Sequence, residues 1–386
     1  MFNTIIVGAG LAGSVLARQL AAVSNKQVLI VEKRKHIGGN CYDSYDNNGV
    51  LVHKYGPHLF HTSNREVFTY LSRFTDWSEY QHRVLADIDG QRVPLPFNLN
   101  SLEMLFPKRM AESLEKKLIA HFGFGVKVPI LELTRTDDSE LKTLADFIYE
   151  KVFVNYTAKQ WGCTPEEIAT EVMGRVPVFV SRDNRYFQDT YQAVPKDGYT
   201  RMFQNILDHP NIHPLLNTNY KDVVAVDIES GHVSLFGNDF DGDLIFTGMI
   251  DELFSFKFGE LPYRTIDFCF ETLQKEYFQE VATVNYPNNY DFTRITEFKR
   301  IHDLQVRNTT LLREYPRDYN GVGKEEDIPC YPVFKDENTV RYNQYKDFAS
   351  QFSNITLLGR LAEYRYYDMD DMVARALEIF THKFAS

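Results

Sequence analysis

The sequence predicts a multidomain α/β protein, and three observations predict it. The first thirty-odd residues run strand, glycine turn, helix, strand; a helical stretch occupies about 100 to 165; short alternating segments recur from about 215 to 310 before a last strand and helix restore the α/β pattern. In order, TIIVG (4–8) is an apolar β run that feeds GAGLAG (8–13), and Leu16, Leu20 and Val23 continue as one helical face. VLIVE (28–32) closes a βαβ unit. Phe147, Ile148, Val152, Phe153 and Tyr156 recur on neighbouring helical turns and mark a helical insertion. HVSLF (232–236) and YRTIDFCFETL (263–273) read as antiparallel strands bounded by Gly, Asn and Asp. NITLLGR (354–360) reads as a buried strand, and Val373, Leu377 and Phe380 share one face of a helix starting near Asp370.

At roughly 150 residues per domain, 386 residues suggest two or three domains. With 44% hydrophobic and 25% charged residues, wholesale disorder and fibrous architecture are excluded. Lys and Arg number 42 against 53 Asp and Glu, a net charge of −11, which is not the footprint of a nucleic-acid binder. Cys41, Cys163, Cys269 and Cys330 are dispersed with no CxxC pair, so a disulfide framework and a structural zinc are not expected, and a reducing cytoplasm is. No apolar run suggests membrane insertion, and a nucleotide-binding pattern starts within the first ten residues in place of a signal peptide. The absence of a Pro/Gly/Ser linker points to interleaved domains.

GxGxxG is informative here because Gly8, Gly10 and Gly13 stand where a strand becomes a helix. Gly8 permits the turn, Gly10 clears a path for a pyrophosphate, and Gly13 lets the helix approach the sheet. Free N–H groups at the helix start attract the phosphates. Glu32, at the end of the second strand, suits the hydroxyls of an adenosine ribose, with Lys33 beside it. NAD and FAD share this fingerprint. The second glycine pair, Gly38 and Gly39 followed by Asn40, suits an extended flavin dinucleotide, hence a Rossmann-like FAD-binding domain. Arg360 is expected at the pyrophosphate, and the helix start at Tyr367, Asp368 and Met369 at the flavin ring, where the helix dipole stabilises an anionic reduced form.

His58 and His61 in GPHLFH have the spacing of a metal pair on a helix, but Gly56 and Pro57 oppose a helix and no further ligands cluster, so no metal is expected. His53, His121 and His213 read as structural or solvated.

KYGPHLFHTSN (54–64), NYTAKQWG (155–162), GRVPV (174–178), FTRITEFK (292–299), IPCYP (328–332) and GRLAEYRYYDMD (359–370) together make the chain similar, nearly end to end, to the bacterial UDP-galactopyranose mutases. That resemblance implies a flavoenzyme interconverting UDP-galactopyranose and UDP-galactofuranose without net redox change, active only with reduced FAD. It implies covalent catalysis through flavin N5, a homodimer, and supply of galactofuranose for surface polysaccharides. It divides the chain into an FAD-binding α/β domain (1–77, 203–249 and 335–386), a helical substrate-binding domain (100–186) with a mobile loop, and an antiparallel sheet domain (78–99, 187–202 and 250–334).

By the same resemblance Arg175 and Arg294 meet the diphosphate, where cations stabilise charge that develops as the glycosidic bond breaks. Tyr331 and Tyr366 donate to the phosphates without adding charge. Trp161, Tyr156, Thr157 and Tyr186 form the uridine and sugar platform, and Asn285 contacts the uracil or ribose side. His61 bonds the flavin, and His58 and Leu59 supply backbone contacts beside it. Two departures stand out: Cys330 replaces an aromatic residue of relatives, and His82 stands where some carry Asn, near the substrate. A sister activity acts on UDP-N-acetylgalactosamine; retention of His61, where that branch can carry Arg, favours plain galactose. The competing readings are a hydride-transferring flavin oxidoreductase, ill matched to an arginine–tyrosine anion set, and a non-enzymatic flavin sensor, which leaves that set without use.

Overall fold

The apolar run TIIV forms the strand Thr4–Val7 at the centre of a five-stranded parallel sheet, ordered Ile212–Leu215, Val28–Val31, Thr4–Val7, Asp243–Phe246, Ile355–Leu357. The computed structural model describes residues 2–162, 177–302, 304–321 and 327–385; Cys163, Gly174 and Arg175 lie outside them. Parallel strands need cover on both faces, which is why TIIV, VLIV and LIF of the three central strands are buried as continuous runs, whereas the edge strand Ile212–Leu215 exposes His213 and Pro214. On one face Val15, Leu16 and Leu20 of the helix Leu11–Ala22 pack with Val373 and Ala376 of the helix Met369–Ile379. On the other, Tyr345 of the helix Asp336–Ala349 and the hairpin strands Val224–Val226, Val233–Leu235 and Asn238–Phe240 close over Ile5, Leu29 and Phe246.

A seven-stranded sheet runs Tyr331–Pro332, Tyr263–Leu273, Thr309–Asp318, Arg294–Glu297, Thr283–Asn285, Val84–Ile88, Gln91–Leu95. The expected antiparallel pattern holds at each joint among the described residues except one: Thr283–Asn285 pairs parallel with Val84–Ala86. Those two strands come from segments separated by the helical insertion, so no hairpin constrains their direction. Register aligns Ala86, Asn285, Arg294, Glu314 and Phe268 as successive cross-strand neighbours. Directly opposed residues share a face, so this row points one way from the sheet.

The helical insertion comprises Leu99–Leu105, Lys108–Phe122, Ser139–Ile148 and Asn155–Trp161 around Leu102, Leu114, Leu118, Leu144 and Ile148. Side chains start two of these helices: Asn98 accepts from Asn100 and Ser101 N–H, and Asp138 from Glu140 and Leu141 N–H. The stretch Tyr149–Val154 departs from a plain α-helix and takes wider π turns, which deliver Tyr156 and Trp161 to the edge of the seven-stranded sheet. No helix among the described residues is long and apolar enough to cross a membrane. Cys41, Cys269 and Cys330 are free.

Candidate active site

The turn after Thr4–Val7 opens onto a cavity of about 300 Å³. Its walls include Gly8, Gly10, Glu32, Lys33, Gly39, Asn40, His58, Arg360, Tyr367, Asp368 and Met369. Gly8 takes φ +107°, and a Cβ there would lie 2.1 Å from Thr247 Oγ1. A Cβ on Gly13 would lie 2.1 Å from the Gly8 carbonyl, so this glycine seats the helix and is not part of the wall. Gly39 faces Gly10 directly, a Cβ on it falling 2.8 Å from Gly10 Cα. Two backbones bare of side chains thus border one groove, which fits a pyrophosphate passing between them.

Glu32 accepts from Ala9 N–H at 2.8 Å through Oε2 and from Arg34 N–H at 2.9 Å through Oε1. Each carboxylate oxygen keeps lone-pair capacity for a ribose hydroxyl. Arg34 bonds Asn40 Oδ1 at 2.8 Å through Nη2, while its buried Nη1 lacks a partner among the described residues. A buried guanidinium N–H beside the glycine groove is what an absent anionic group would satisfy. Burial and the neighbouring Arg34 lower the Lys33 pKa. The donor set therefore fits a dinucleotide.

Arg360 forms the wall shared with a second site. Its guanidinium lies 5.0 Å from the Tyr331 ring centre and 4.6 Å from that of Tyr366, and it donates to Tyr367 O at 2.6 Å. Tyr331 and Tyr366 stack with rings 7° apart, and Trp161 meets Tyr331 edge-on at 5.8 Å. Arg294, on the row described above, donates through Nε to Glu314 Oε1 at 2.7 Å. Burial opposes the Arg294 charge, but the Glu314 carboxylate outweighs it and holds the guanidinium pKa above its ordinary value. Burial likewise raises the Tyr156 and Tyr331 hydroxyls, keeping them protonated donors; Arg294 is close enough to both to act against that shift. Thr157 and Asn285 are buried at 8% exposure each, on the helix and sheet that meet here.

On the far side Tyr186 N–H bonds His82 O at 2.8 Å, and the His82 ring contacts Tyr186 and Phe187 edge and face. Burial, with Arg294 and His61 nearby, pushes the His82 imidazole down to about 3. His61 lies on the short strand Phe60–Thr62, not a helix, and bonds Asp189 Oδ2 through Nδ1 at 3.0 Å. Burial pushes His58 down to about 4, and its backbone N–H donates to His53 Nδ1 at 3.0 Å, which anchors the turn. Leu59 packs with Val50, Val52 and Phe298 rather than lining the cavity. No cluster of three or more His, Cys, Asp or Glu suited to a metal occurs among the described residues. Arg175 lies outside them.

Sequence reasoning did not single out Glu314, Asp189, Phe187, Arg34 or Arg264. Arg264, at 4% exposure, donates to Lys159 O and Gln160 O and pins the end of the Trp161 helix to the sheet. For Glu314 a signal existed: it is an acid in the inward register of TTLLREYPRD, aligned with buried Leu312.

The architecture and these two adjoining sites define an α/β dinucleotide-binding protein with an arginine–tyrosine anion site beside its cofactor cavity. A family model for an NAD(P)-binding Rossmann-like domain matches residues 6–74, and one for UDP-galactopyranose mutase matches residues 151–366. A dTDP-fucopyranose mutase of Escherichia coli is 36% identical over 98% of this chain and 97% of its own. A probable UDP-galactopyranose mutase of Klebsiella pneumoniae is 36% identical over 97% and 93%. A crystal structure of reduced UDP-galactopyranose mutase superposes with a TM-score of 0.74 at 15% identity, covering 99% of this chain and 93% of that one. The chain belongs to the UDP-galactopyranose mutase family, and is an isomerase of that family.

Proposed function

We propose that this protein interconverts UDP-galactopyranose and UDP-galactofuranose with reduced FAD as its cofactor. The observation that supports this most is the anion site made of Arg294, Tyr331 and Tyr366, which shares Arg360 with the dinucleotide cavity. Reduced flavin, when bound, would supply a nucleophilic nitrogen to the anomeric carbon and recover it unchanged, so the balance is an isomerisation. Arg294, joined by Arg175, would meet the charge of the departing diphosphate, which grows as the bond to the sugar lengthens. The Tyr331 and Tyr366 hydroxyls would donate to phosphate oxygens. Trp161, Tyr156, Thr157, Tyr186 and Asn285 would hold the nucleoside and sugar. The dinucleotide contacts would be those of the glycine groove, Glu32, Lys33, Asn40 and Arg360, with Tyr367, Asp368, Met369, His61 and the backbone of His58 and Leu59 on the flavin side. A homodimer in the cytoplasm, feeding galactofuranose to surface polysaccharide, completes the reading.

The fucopyranose mutase relative supports a second reading, dTDP-fucopyranose as substrate. The two nucleotide sugars differ at the base methyl, the ribose 2′-hydroxyl and the sugar C6 hydroxyl. Anaerobic incubation of the dithionite-reduced protein with UDP-galactofuranose, its N-acetylated counterpart and dTDP-fucofuranose, read by chromatography, separates them. Fast conversion of UDP-galactofuranose alone supports the first reading, and of dTDP-fucofuranose alone the second. Conversion of none by a flavin-loaded protein overturns both.

A further inference from the structure

We infer that Asp189 is a positioning residue for His61: its carboxylate fixes the imidazole as the Nδ1–H tautomer and reserves Nε2 as an acceptor for the reacting partners. This rests on the reading of His61 as a flavin-side group.

A neutral imidazole has one donor and one acceptor nitrogen, and the partner of one decides the other. A carboxylate only accepts, so the 3.0 Å contact with Asp189 Oδ2 puts the hydrogen on Nδ1. No described residue hydrogen-bonds Nε2. The carboxylate is itself held: Ser63 Oγ donates to Oδ1 at 3.3 Å and accepts from Thr190 N–H at 3.3 Å. The backbone that carries it is also tied. His61 and Gln192 are register partners on the strands Phe60–Thr62 and Tyr191–Pro195, and the Gln192 amide donates to Phe187 O at 3.1 Å and Asp189 O at 3.0 Å. That fold-back also stacks the Phe187 ring on the imidazole, centroids 3.6 Å apart and 17° from parallel. Face and edge are thus both restrained, leaving one nitrogen uncommitted.

The location suits the role. The helix Met369–Ile379, whose first residue lines the cavity, packs against the strand Phe60–Thr62 that carries His61, and on the other side the Phe187 ring that covers the imidazole also stacks on His82. A group poised between the dinucleotide cavity and the anion site with a fixed acceptor can take a hydrogen bond from either ligand. The alternative tautomer would offer a donor there instead.

Asp189→Asn keeps the shape but presents an amide N–H to Nδ1, which moves the ring hydrogen to Nε2. The test uses the flavin-loaded protein with ¹⁵N-labelled histidine, the His61 ring signals being identified by their loss in His61→Gln. The expected result is the Nδ1–H form in the unaltered protein and the Nε2–H form in Asp189→Asn. With it should come a fall in kcat of about 10- to 100-fold, KM within about twofold, and unchanged flavin content. An Nε2–H ring in the unaltered protein overturns the inference, and so does Asp189→Asn with undiminished kcat. Loss of flavin in step with activity also overturns it, since that marks a merely structural role. The spectrum of the unaltered protein, once assigned through His61→Gln, needs neither Asp189→Asn nor a substrate, so inactivity toward every nucleotide sugar would defeat the proposed function while the tautomer still decided this inference.

Discussion

Arg294 and Glu314 face each other across neighbouring antiparallel strands, with the guanidinium Nε 2.7 Å from Glu314 Oε1 and the acid fully buried. The other carboxylate oxygen, Oε2, has no hydrogen-bond partner among the described residues. The pair aims one strong cation out of the sheet while spending only one edge of its guanidinium. Arg294→Ala should therefore lower kcat by roughly 10²- to 10³-fold, the range for loss of one donor that stabilises developing charge. It should also destabilise the fold, because Glu314 is left buried and unpaired. Arg294→Lys should restore stability more than rate, since an ammonium lacks the planar fork. Steady-state kinetics and urea unfolding of both variants, at equal flavin content, check this.

Gly39 takes φ +56° and presses on Gly10, a Cβ there falling 2.8 Å from the Gly10 Cα. Gly39→Ala should cost about 1–2 kcal/mol for the left-handed backbone and push the two glycine turns apart. The expected outcome is a protein that folds but is purified pale. The ratio of flavin to protein absorbance measures it, and unchanged flavin content would mean that the Gly10–Gly39 groove does not hold the cofactor.

The chain has two tryptophans. Trp77 is packed against Phe60 and Phe68 and bonded to Ser72, whereas Trp161 lies against Tyr331. Binding of UDP or dTDP should quench intrinsic fluorescence in the unaltered protein and in Trp77→Phe, and leave Trp161→Phe nearly silent. Quenching retained in Trp161→Phe would remove this residue from the nucleoside platform.

His58 and His82 are buried with pKa values lowered to about 4 and about 3, in both cases chiefly by burial. Below the free-imidazole range the unfolded chain takes up protons that the folded chain refuses, so stability falls as pH drops from about 6.5 toward these values. Between pH 7 and 5 the loss is about 2 kcal/mol for each such histidine. His82→Asn should flatten that dependence by about this amount, measured as urea unfolding free energy at the two pH values. An unchanged slope would show that His82 takes up its proton as readily in the fold as in the unfolded chain.

What was legible in the sequence was local. Gly8, Gly10 and Gly13 between two apolar runs, the strand Tyr263–Leu273 and the helix Met369–Ile379 each carry their signal within a dozen residues, because strand alternation and helical periodicity are short-range properties. The π turns at Tyr149–Val154 were hidden in what reads as ordinary helix, because buried Ile148 and Val152 stand at the four-residue step that an α-helix also gives. The parallel joint of Thr283–Asn285 with Val84–Ala86 has no local signal, since it depends on where the chain returns after the helical insertion. The partners of the site residues escaped for the same reason. Glu314 and Asp189 are unremarkable acids until register sets one beside Arg294 and the other beside His61.

Val7, Phe246 and Met372 line one cavity, although the chain delivers them at widely separated points. The ribosome produces the glycine turn first, but its groove stays roofless until the strands Asp243–Phe246 and Ile355–Leu357 have joined the sheet and the helix Met369–Ile379 has docked. A nascent chain therefore carries the exposed apolar edge of the strand Thr4–Val7 until Asp243–Phe246 has been made, a state prone to sticking and to chaperone capture. A ligand of this cavity would therefore be gripped only after the later strands and helix are in place, so the glycine turn, made well before them, waits on them to bind.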